Sequence, residues 1–84
     1  MPALRVHLLF FAIYRDLAGT SRLELELPAG ATAGSAVAEL RARGGGLARL
    51  PEEPVVAVNR EYAPLGTPLR DGDELALLPP VAGG

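Results

Sequence analysis

The sequence predicts a small α+β domain in which one helix packs against a mixed sheet, in the order strand, strand, helix, strand, strand. Residues 4–11 and 22–27 alternate apolar and polar side chains, as half-buried strands do. Residues 33–43 instead carry apolar side chains at helical spacing. A length of 84 residues and an apolar fraction of 49% fit a single globular domain.

The first two strands are expected to pair as a hairpin. The even-numbered residues of the first strand should face the core, namely Leu4, Val6, Leu8 and Phe10. Leu9 and Phe11 then lie on the outer face. The second strand turns three leucines inward, at positions 23, 25 and 27. Between the strands, residues 14–21 are interpreted as a loop or a single turn with Gly19 as its break.

The helix is expected to start after Thr32, which has the side chain of a good N-cap. No capping box is expected, because Glu does not follow at the required spacing. Ala33, Val37 and Leu40 should face the core, and Gly44 can close the helix. Residues 44–53 form an irregular connection with room for one short helical turn.

The second half of the chain predicts two further strands. Residues 54–59 form the third strand, and a turn at residues 59–61 leads into residues 62–65, for which no element is predicted. Asp71-Gly72 is a strong turn signal. The last strand, residues 74–78, then places Leu75 and Leu77 on one face and Leu78 on the other.

Composition excludes several classes of function. Cysteine is absent, so disulfides, thiolate metal sites and cysteine nucleophiles are ruled out. The net charge is −2 without a basic cluster, and nucleic-acid binding is therefore not expected. The apolar run at residues 8–13 is too short to span a bilayer, so we expect no membrane association and a cytoplasmic location.

Side chains suited to catalysis or metal binding are few and scattered. His7 alternates with Val and Leu on a strand and is expected to face solvent. The acidic stretch at residues 71–74 is interpreted as a turn, because it does not continue as a calcium loop. Residues 44–46 lack the Lys-Ser/Thr of a phosphate-binding loop. We expect neither a metal site, nor a bound cofactor, nor an internal active site.

Two features remain as candidates for function. Phe11, Tyr62 and Leu78 are apolar side chains expected on the outside of the domain, where they would mark a partner surface. The chain ends in PPVAGG, in which Pro79 and Pro80 favour an extended path and Gly83-Gly84 fits a narrow channel. Because the chain contains no lysine, the unhindered carboxylate of Gly84 is its distinctive group for acyl chemistry.

The segments FFAIYRDLAG, VAVN and above all LRDGDELALLPPVAGG resemble the small subunits of molybdopterin synthases, which are ubiquitin-like β-grasp sulfur carriers. The resemblance covers nearly the whole chain and is most specific over residues 69–84. It implies a β-grasp domain over residues 1–78 and a flexible functional tail over residues 79–84. Leu77-Leu78 departs from this family, which often has two Phe there, and Tyr62 stands where an aliphatic residue is common.

The resemblance also implies a mechanism without a catalytic site in this chain. Gly84, with Gly83 beside it, would be adenylated with ATP by a partner resembling ubiquitin-activating enzymes and then converted to a thiocarboxylate with sulfur from a donor protein. Residues Pro79, Pro80, Val81 and Ala82 would enter the large subunit in a heterotetramer. There the sulfur would pass to cyclic pyranopterin monophosphate. Phe11, Tyr62 and Leu78 would contact the large subunit.

Three alternatives remain open. A related β-grasp carrier would deliver sulfur to the thiazole of thiamine or to tRNA. A ubiquitin-like modifier would form isopeptide bonds with lysines of other proteins. A simple interaction domain would have an inert tail.

Overall fold

The computed structural model describes residues 3–80, which form a mixed sheet, two helices and a short 3-10 turn. The strands are β1 (Leu4–Phe10), β2 (Arg22–Leu27), β3 (Val55–Val58), β4 (Glu61–Ala63) and β5 (Glu74–Leu78). The helices are α1 (Ala12–Ala18) and α2 (Ala33–Ala42), and the 3-10 turn covers Gly45–Arg49. The predicted α+β class is confirmed.

The last strand of the chain lies in the middle of the sheet, whose order is β2-β1-β5-β3-β4. β1 pairs antiparallel with β2, as the predicted hairpin requires, and parallel with β5. β3 pairs antiparallel with both β5 and β4. The ends of β1 and β5 therefore meet at the same edge of the sheet.

One face of the sheet is covered by α2 and forms the core. The inward residues of the strands predicted from the alternation are buried there, among them Val6, Leu8, Phe10, Leu25 and Leu77. They pack in one cluster with the buried side of α2, which consists of Ala33, Ala36, Val37 and Leu40. Within residues 3–80, no polar or charged side chain is buried. The core is held together by apolar contacts alone.

The interpretation of residues 14–21 as a loop or single turn was wrong, because the chain forms α1 over Ala12–Ala18. Tyr14 is buried, and Leu17 and Ala18 pack against the core, so three residues at helical spacing drive the helix onto the sheet. Gly19 adopts a φ of 76° and its N–H donates to the carbonyl oxygen of Arg15, which ends the helix. The predicted break at Gly19 is the C-terminal cap of a helix.

The start of α2 differs from the prediction in one detail. Thr32 is the N-cap, as expected, and its Oγ1 accepts a hydrogen bond from the N–H of Ser35 at 3.1 Å. The Oγ of Ser35 in turn accepts from the N–H of Thr32 at 2.7 Å, which completes the capping box that the sequence was not expected to form. A serine hydroxyl thus replaces the Glu carboxylate of the usual motif.

The sequence also failed to predict β4. This strand has three residues and ends at Ala63, before Pro64, which makes it too short for an alternating pattern to be recognised. β4 forms one edge of the sheet and pairs with β3 through the register Ala57↔Tyr62. It therefore adds Tyr62 to the outer face of the sheet.

Candidate functional site

The face of the sheet opposite α2 carries an apolar groove of about 430 Å³. Ala57 and Ala76 form its floor, each with 7% of its surface exposed. The other lining residues are larger, namely Leu9, Phe11, Leu78, Tyr62, Arg60 and Glu74. The groove exists because the small side chains stand in the middle and the large ones at the sides.

The register of the strands explains this arrangement. Leu9 pairs with Ala76 across β1 and β5, Ala76 with Ala57, and Ala57 with Tyr62, so one row of outward residues crosses four strands. Paired residues on one face of a sheet lie within contact distance of each other. The row is therefore a continuous apolar strip that ends in Tyr62 at the edge strand.

Two of the three predicted partner-contacting residues are well exposed on this face. Phe11 is 45% exposed and Tyr62 is 80% exposed, while Leu78 is partly buried. Phe11 follows β1 at the corner where Ala12 adopts a left-handed φ of 49° and the chain turns into α1. The structure brings these three residues together, since all of them line the groove.

Sequence reasoning missed several residues of the groove. Ala57 and Ala76 were not singled out, although alternation in VVAV and ELALL places them on the outward face. Arg60 and Glu74, at one end of the groove, were also missed. The position of Arg60 depends on the pairing of β3 with β4, a strand that the sequence did not predict.

The groove is continuous with the start of the C-terminal tail. β5 ends at Leu78, which lines the groove, and Pro79 and Pro80 follow it outside any strand or helix. Leu78 and Pro80 also line a second, smaller depression together with Tyr14 and Val55. Val81, Ala82, Gly83 and Gly84, which are central to the predicted tail chemistry, lie outside the described residues.

The acidic stretch at residues 71–74 forms the predicted turn up to Asp73, whereas Glu74 begins β5, and the carboxylates of Asp71 and Asp73 hold the backbone. Asp71 Oδ1 accepts from the N–H of Arg5 at 2.8 Å. Asp73 Oδ2 accepts from the N–H of Arg70 at 2.8 Å, and its Oδ1 accepts from Asn59 Nδ2 at 3.0 Å. Gly72 has a φ of 87° and donates its N–H to the carbonyl oxygen of Arg5. These residues fasten the turn before β5 to β1 and to the β3–β4 hairpin.

Several of the remaining polar side chains line a separate depression of about 530 Å³, among them Arg5, His7, Glu24, Glu26 and Asp71. His7 is half-exposed on the outer face, 3.4 Å from the carboxylate of Glu24. In the described part of the chain, no three His, Cys, Asp or Glu side chains are grouped so that they could hold a metal ion. Neither helix between residues 3 and 80 is long and apolar enough to cross a membrane.

Comparison with known proteins agrees with this architecture. The model of the ThiS family matches residues 8–84. The molybdopterin synthase sulfur carrier subunit of Drosophila yakuba is 38% identical over 86 residues, which cover 99% of this chain and 94% of the relative. The subunit of the same name from Mycobacterium tuberculosis is 38% identical over 82 residues, which cover 96% of this chain and 99% of the relative.

Solved structures show the same fold. SAMP1 from Haloferax volcanii superposes with a TM-score of 0.81 at 33% identity, covering 95% of this chain and 99% of that one. A chain in the complex of subunits 1 and 2 of the molybdopterin-converting factor from Helicobacter pylori gives a TM-score of 0.68 at 28% identity, covering 96% and 100%. A ubiquitin from Caldiarchaeum subterraneum gives 0.66 at 20% identity, covering 99% and 100%, which shows the fold alone.

The mixed sheet with its packed helix is thus the ubiquitin-like β-grasp expected from the sequence. The family match extends over most of the chain, and the relatives are similar over nearly their whole lengths. The chain belongs to the ThiS family and is a homologue of the molybdopterin synthase sulfur carrier subunits.

Proposed function

We propose that this chain is the sulfur carrier subunit of a molybdopterin synthase, and that its C-terminal Gly84 carries the sulfur. The observation that carries this proposal is the position of the apolar groove, which runs to Leu78 at the point where the tail leaves the sheet. A partner that binds the groove is thereby placed next to Pro79, the residue at which the tail begins. The homology to sulfur carrier subunits supports the same function.

The large subunit of the synthase is the proposed occupant of the groove. Phe11, Tyr62 and Leu78 present apolar surface there, and aromatic side chains of this kind dominate the energetics of many protein interfaces. The solved complex of subunits 1 and 2 of the molybdopterin-converting factor supports an assembly of this type. With the groove occupied, the six residues after Leu78 have a reach of roughly 20 Å at about 3.3 Å per residue.

The proposed chemistry takes place on the main chain. An adenylyltransferase that resembles ubiquitin-activating enzymes joins the carboxylate of Gly84 to AMP from ATP, with loss of pyrophosphate. Hydrosulfide released by a sulfur donor protein then attacks the acyl carbon and displaces AMP, which leaves a thiocarboxylate. The large subunit receives the tail, with Gly83 and Ala82 small enough for a narrow channel, and transfers the sulfur to cyclic pyranopterin monophosphate. This chain contributes the carrier and no catalytic side chain.

The composition supports this division of labour. The sequence contains no Cys to carry sulfur and no Lys to accept an acyl group. Within residues 3–80, no polar or charged side chain is buried. The terminal carboxylate is therefore the group on which this chain would carry sulfur.

The proposal is tested by incubating the protein with ATP, the adenylyltransferase and a sulfur donor, and then measuring the intact mass. Replacement of one oxygen by sulfur, mapped to Gly84, is the expected result. Addition of the large subunit and cyclic pyranopterin monophosphate should then yield molybdopterin. A variant lacking Gly84 should remain folded and carry no sulfur, whereas Gly66→Ala, a change in open space remote from the tail in sequence, should behave as wild type. An unchanged mass with an active adenylyltransferase would overturn the proposal.

Protein modification is a second candidate, favoured by the likeness to SAMP1, the small archaeal modifier protein 1 of Haloferax volcanii. In this reaction the activated Gly84 would be transferred to a lysine of another protein. The two functions differ in their product. Conjugates that resist reducing agent and carry Gly84 on a target lysine would support modification, whereas thiocarboxylate without conjugates would support the carrier function alone.

A further inference from the structure

Arg60 stands at the end of the apolar groove with its charge almost unused by the fold. Its side chain is 89% exposed, and its Nε lies 4.0 Å from Glu74 Oε2. Within residues 3–80, Glu74 is the ion-pair partner of Arg60, and the distance between them is long for a salt bridge. A guanidinium has five N–H donors, and a strong carboxylate contact uses two of them in parallel. Most of the hydrogen-bonding capacity of Arg60 therefore faces solvent.

The backbone at Arg60 is in the left-handed region, which is unfavourable for most residues other than glycine. Residues 59 and 60 connect β3 to β4 in a two-residue hairpin, since Val58 pairs with Glu61. Asn59 has a φ of 50° and Arg60 a φ of 72°, as in a type I′ turn. Asn is well suited to the first of these positions, but Gly is strongly preferred at the second. An L-residue with a long side chain at this position is strained.

Hydrogen bonds made by the neighbouring residue, Asn59, hold the turn in this conformation. The N–H of Asn59 donates to the carbonyl oxygen of Glu74 at 2.9 Å, and its Oδ1 accepts from the N–H of Glu74 at 3.0 Å. Its Nδ2 donates to Asp73. These bonds fix the turn without using the side chain of Arg60. A glycine at position 60 would satisfy the same turn with less strain, so the arginine is not explained by stability.

Strained residues that the surrounding structure holds in place are often found at functional sites. We propose that Arg60 is a specificity-determining residue of the groove, and that the large subunit places an Asp or Glu carboxylate on its guanidinium while apolar side chains fill the groove. This inference rests on the proposed function and names the chemistry of the partner surface. A charged contact at the rim of an apolar interface adds selectivity and speeds association.

The first test separates binding from stability with Arg60→Gly. Removal of strain should raise the Tm by about 4 °C. Loss of the charge should at the same time weaken binding to the large subunit about fivefold, as measured by calorimetry at low salt. Arg60→Glu should weaken binding by about tenfold or more, because like charges then meet. Arg43→Glu is the matched control, since Arg43 is exposed at the end of α2 on the opposite face, and it should leave the affinity unchanged.

The second test identifies the partner carboxylate directly. The sequence contains no lysine, so Arg60→Lys introduces a single side-chain amine. A carbodiimide joins amines to carboxylates that already touch them. Peptide mapping of the cross-linked complex should find position 60 bonded to one Asp or Glu of the large subunit. Arg43→Lys should give no such product.

The two tests distinguish failure of this inference from failure of the proposed function. If the wild-type chain does not bind the large subunit, the proposed function is wrong and this inference falls with it. If the wild-type chain binds and delivers sulfur, but Arg60→Gly and Arg60→Glu bind as tightly as wild type, the inference alone is overturned. An unchanged Tm for Arg60→Gly would contradict the argument from strain.

Discussion

Ala57 and Ala76 lie directly opposite each other on the antiparallel strands β3 and β5, and together they form the floor of the outer groove. The larger side chains of Leu9 and Tyr62 extend the same row on either side. The depth of the groove therefore depends on two methyl groups. Bulk added at either position would fill the space in which a partner side chain is proposed to sit.

Ala76→Leu should accordingly weaken partner binding without unfolding the domain. The added side chain enters the groove rather than the core, so we expect a change in unfolding free energy of less than about 1 kcal/mol. The affinity for the large subunit should fall by about tenfold or more. Titration calorimetry measures the affinity and thermal denaturation the stability.

Ala38→Leu provides the control for that substitution, because Ala38 is exposed on α2 at the other side of the domain. It adds the same bulk and should not change the affinity. Equal binding by both variants would show that the large subunit does not use the groove.

Tyr62→Ala should reduce partner binding through the loss of an aromatic contact. Because Tyr62 is 80% exposed, its removal should change the stability of the isolated domain by less than about 1 kcal/mol. The expected loss of binding free energy is about 2 kcal/mol, which is typical of an aromatic hot spot. Surface plasmon resonance with the immobilised large subunit should show this mainly as faster dissociation.

Ile13→Ala tests whether any exposed apolar residue would have the same effect. Ile13 is 55% exposed on α1 but does not line the groove. Its variant should dissociate at the wild-type rate. A loss equal to that of Tyr62→Ala would contradict the location of the interface.

Asp73→Ala should destabilise the domain by about 2 kcal/mol, because it removes hydrogen bonds both to the N–H of Arg70 and to the side chain of Asn59. Chemical denaturation with urea is the appropriate measurement. Asp16→Ala removes a carboxylate from the exposed surface of α1 and should have little effect. A similar midpoint for the two variants would show that the turn does not depend on Asp73.

Gly46→Ala should be more destabilising than Gly45→Ala. A Cβ at Gly46 would collide with the backbone carbonyl of Leu17 in α1, whereas a Cβ at Gly45 would meet open space. Gly45 has a φ of 59°, so alanine there should cost about 1 kcal/mol from strain alone. At Gly46 we expect about 2–3 kcal/mol, because backbone must move. Denaturation curves in which the order is reversed would disprove the close contact between the 3-10 turn and α1.

The elements of the fold that could be predicted from the sequence are those long enough for a pattern of apolar and polar residues to repeat. β1 and β2 extend over seven and six residues, so alternation identified both the strands and their inward faces. α1 has only seven residues and its start lies within the continuous apolar run at residues 8–13, so helical spacing could not be recognised there. β4 has three residues, and its place in the sheet is fixed by the hairpin at Asn59.

The part of the candidate site that was predicted also depends on a repeating pattern of apolar and polar residues. Alternation along single strands placed Phe11 and Leu78 on the outer face, and the structure brings them together. Alternation also places Ala57 and Ala76 on the outer face, but their meeting as the floor of the groove depends on the register between β3 and β5, which are separate in the chain. The position of Arg60 depends on backbone angles that a residue other than glycine rarely adopts.

The central place of β5 has a consequence for how the domain assembles. β5 is the last of the strands within residues 3–80, yet it joins the β1–β2 pair to the β3–β4 pair, and Asp71 contacts Arg5 across 66 positions of sequence. Without β5 the sheet would be divided into two separate two-stranded pieces, and an isolated two-stranded hairpin is at best marginally stable in water. The outer groove and the end of β5, from which the tail continues, therefore both depend on the docking of this strand. A partner that binds the groove and the tail together would therefore bind only chains in which β5 has docked, and it would not bind incompletely folded chains.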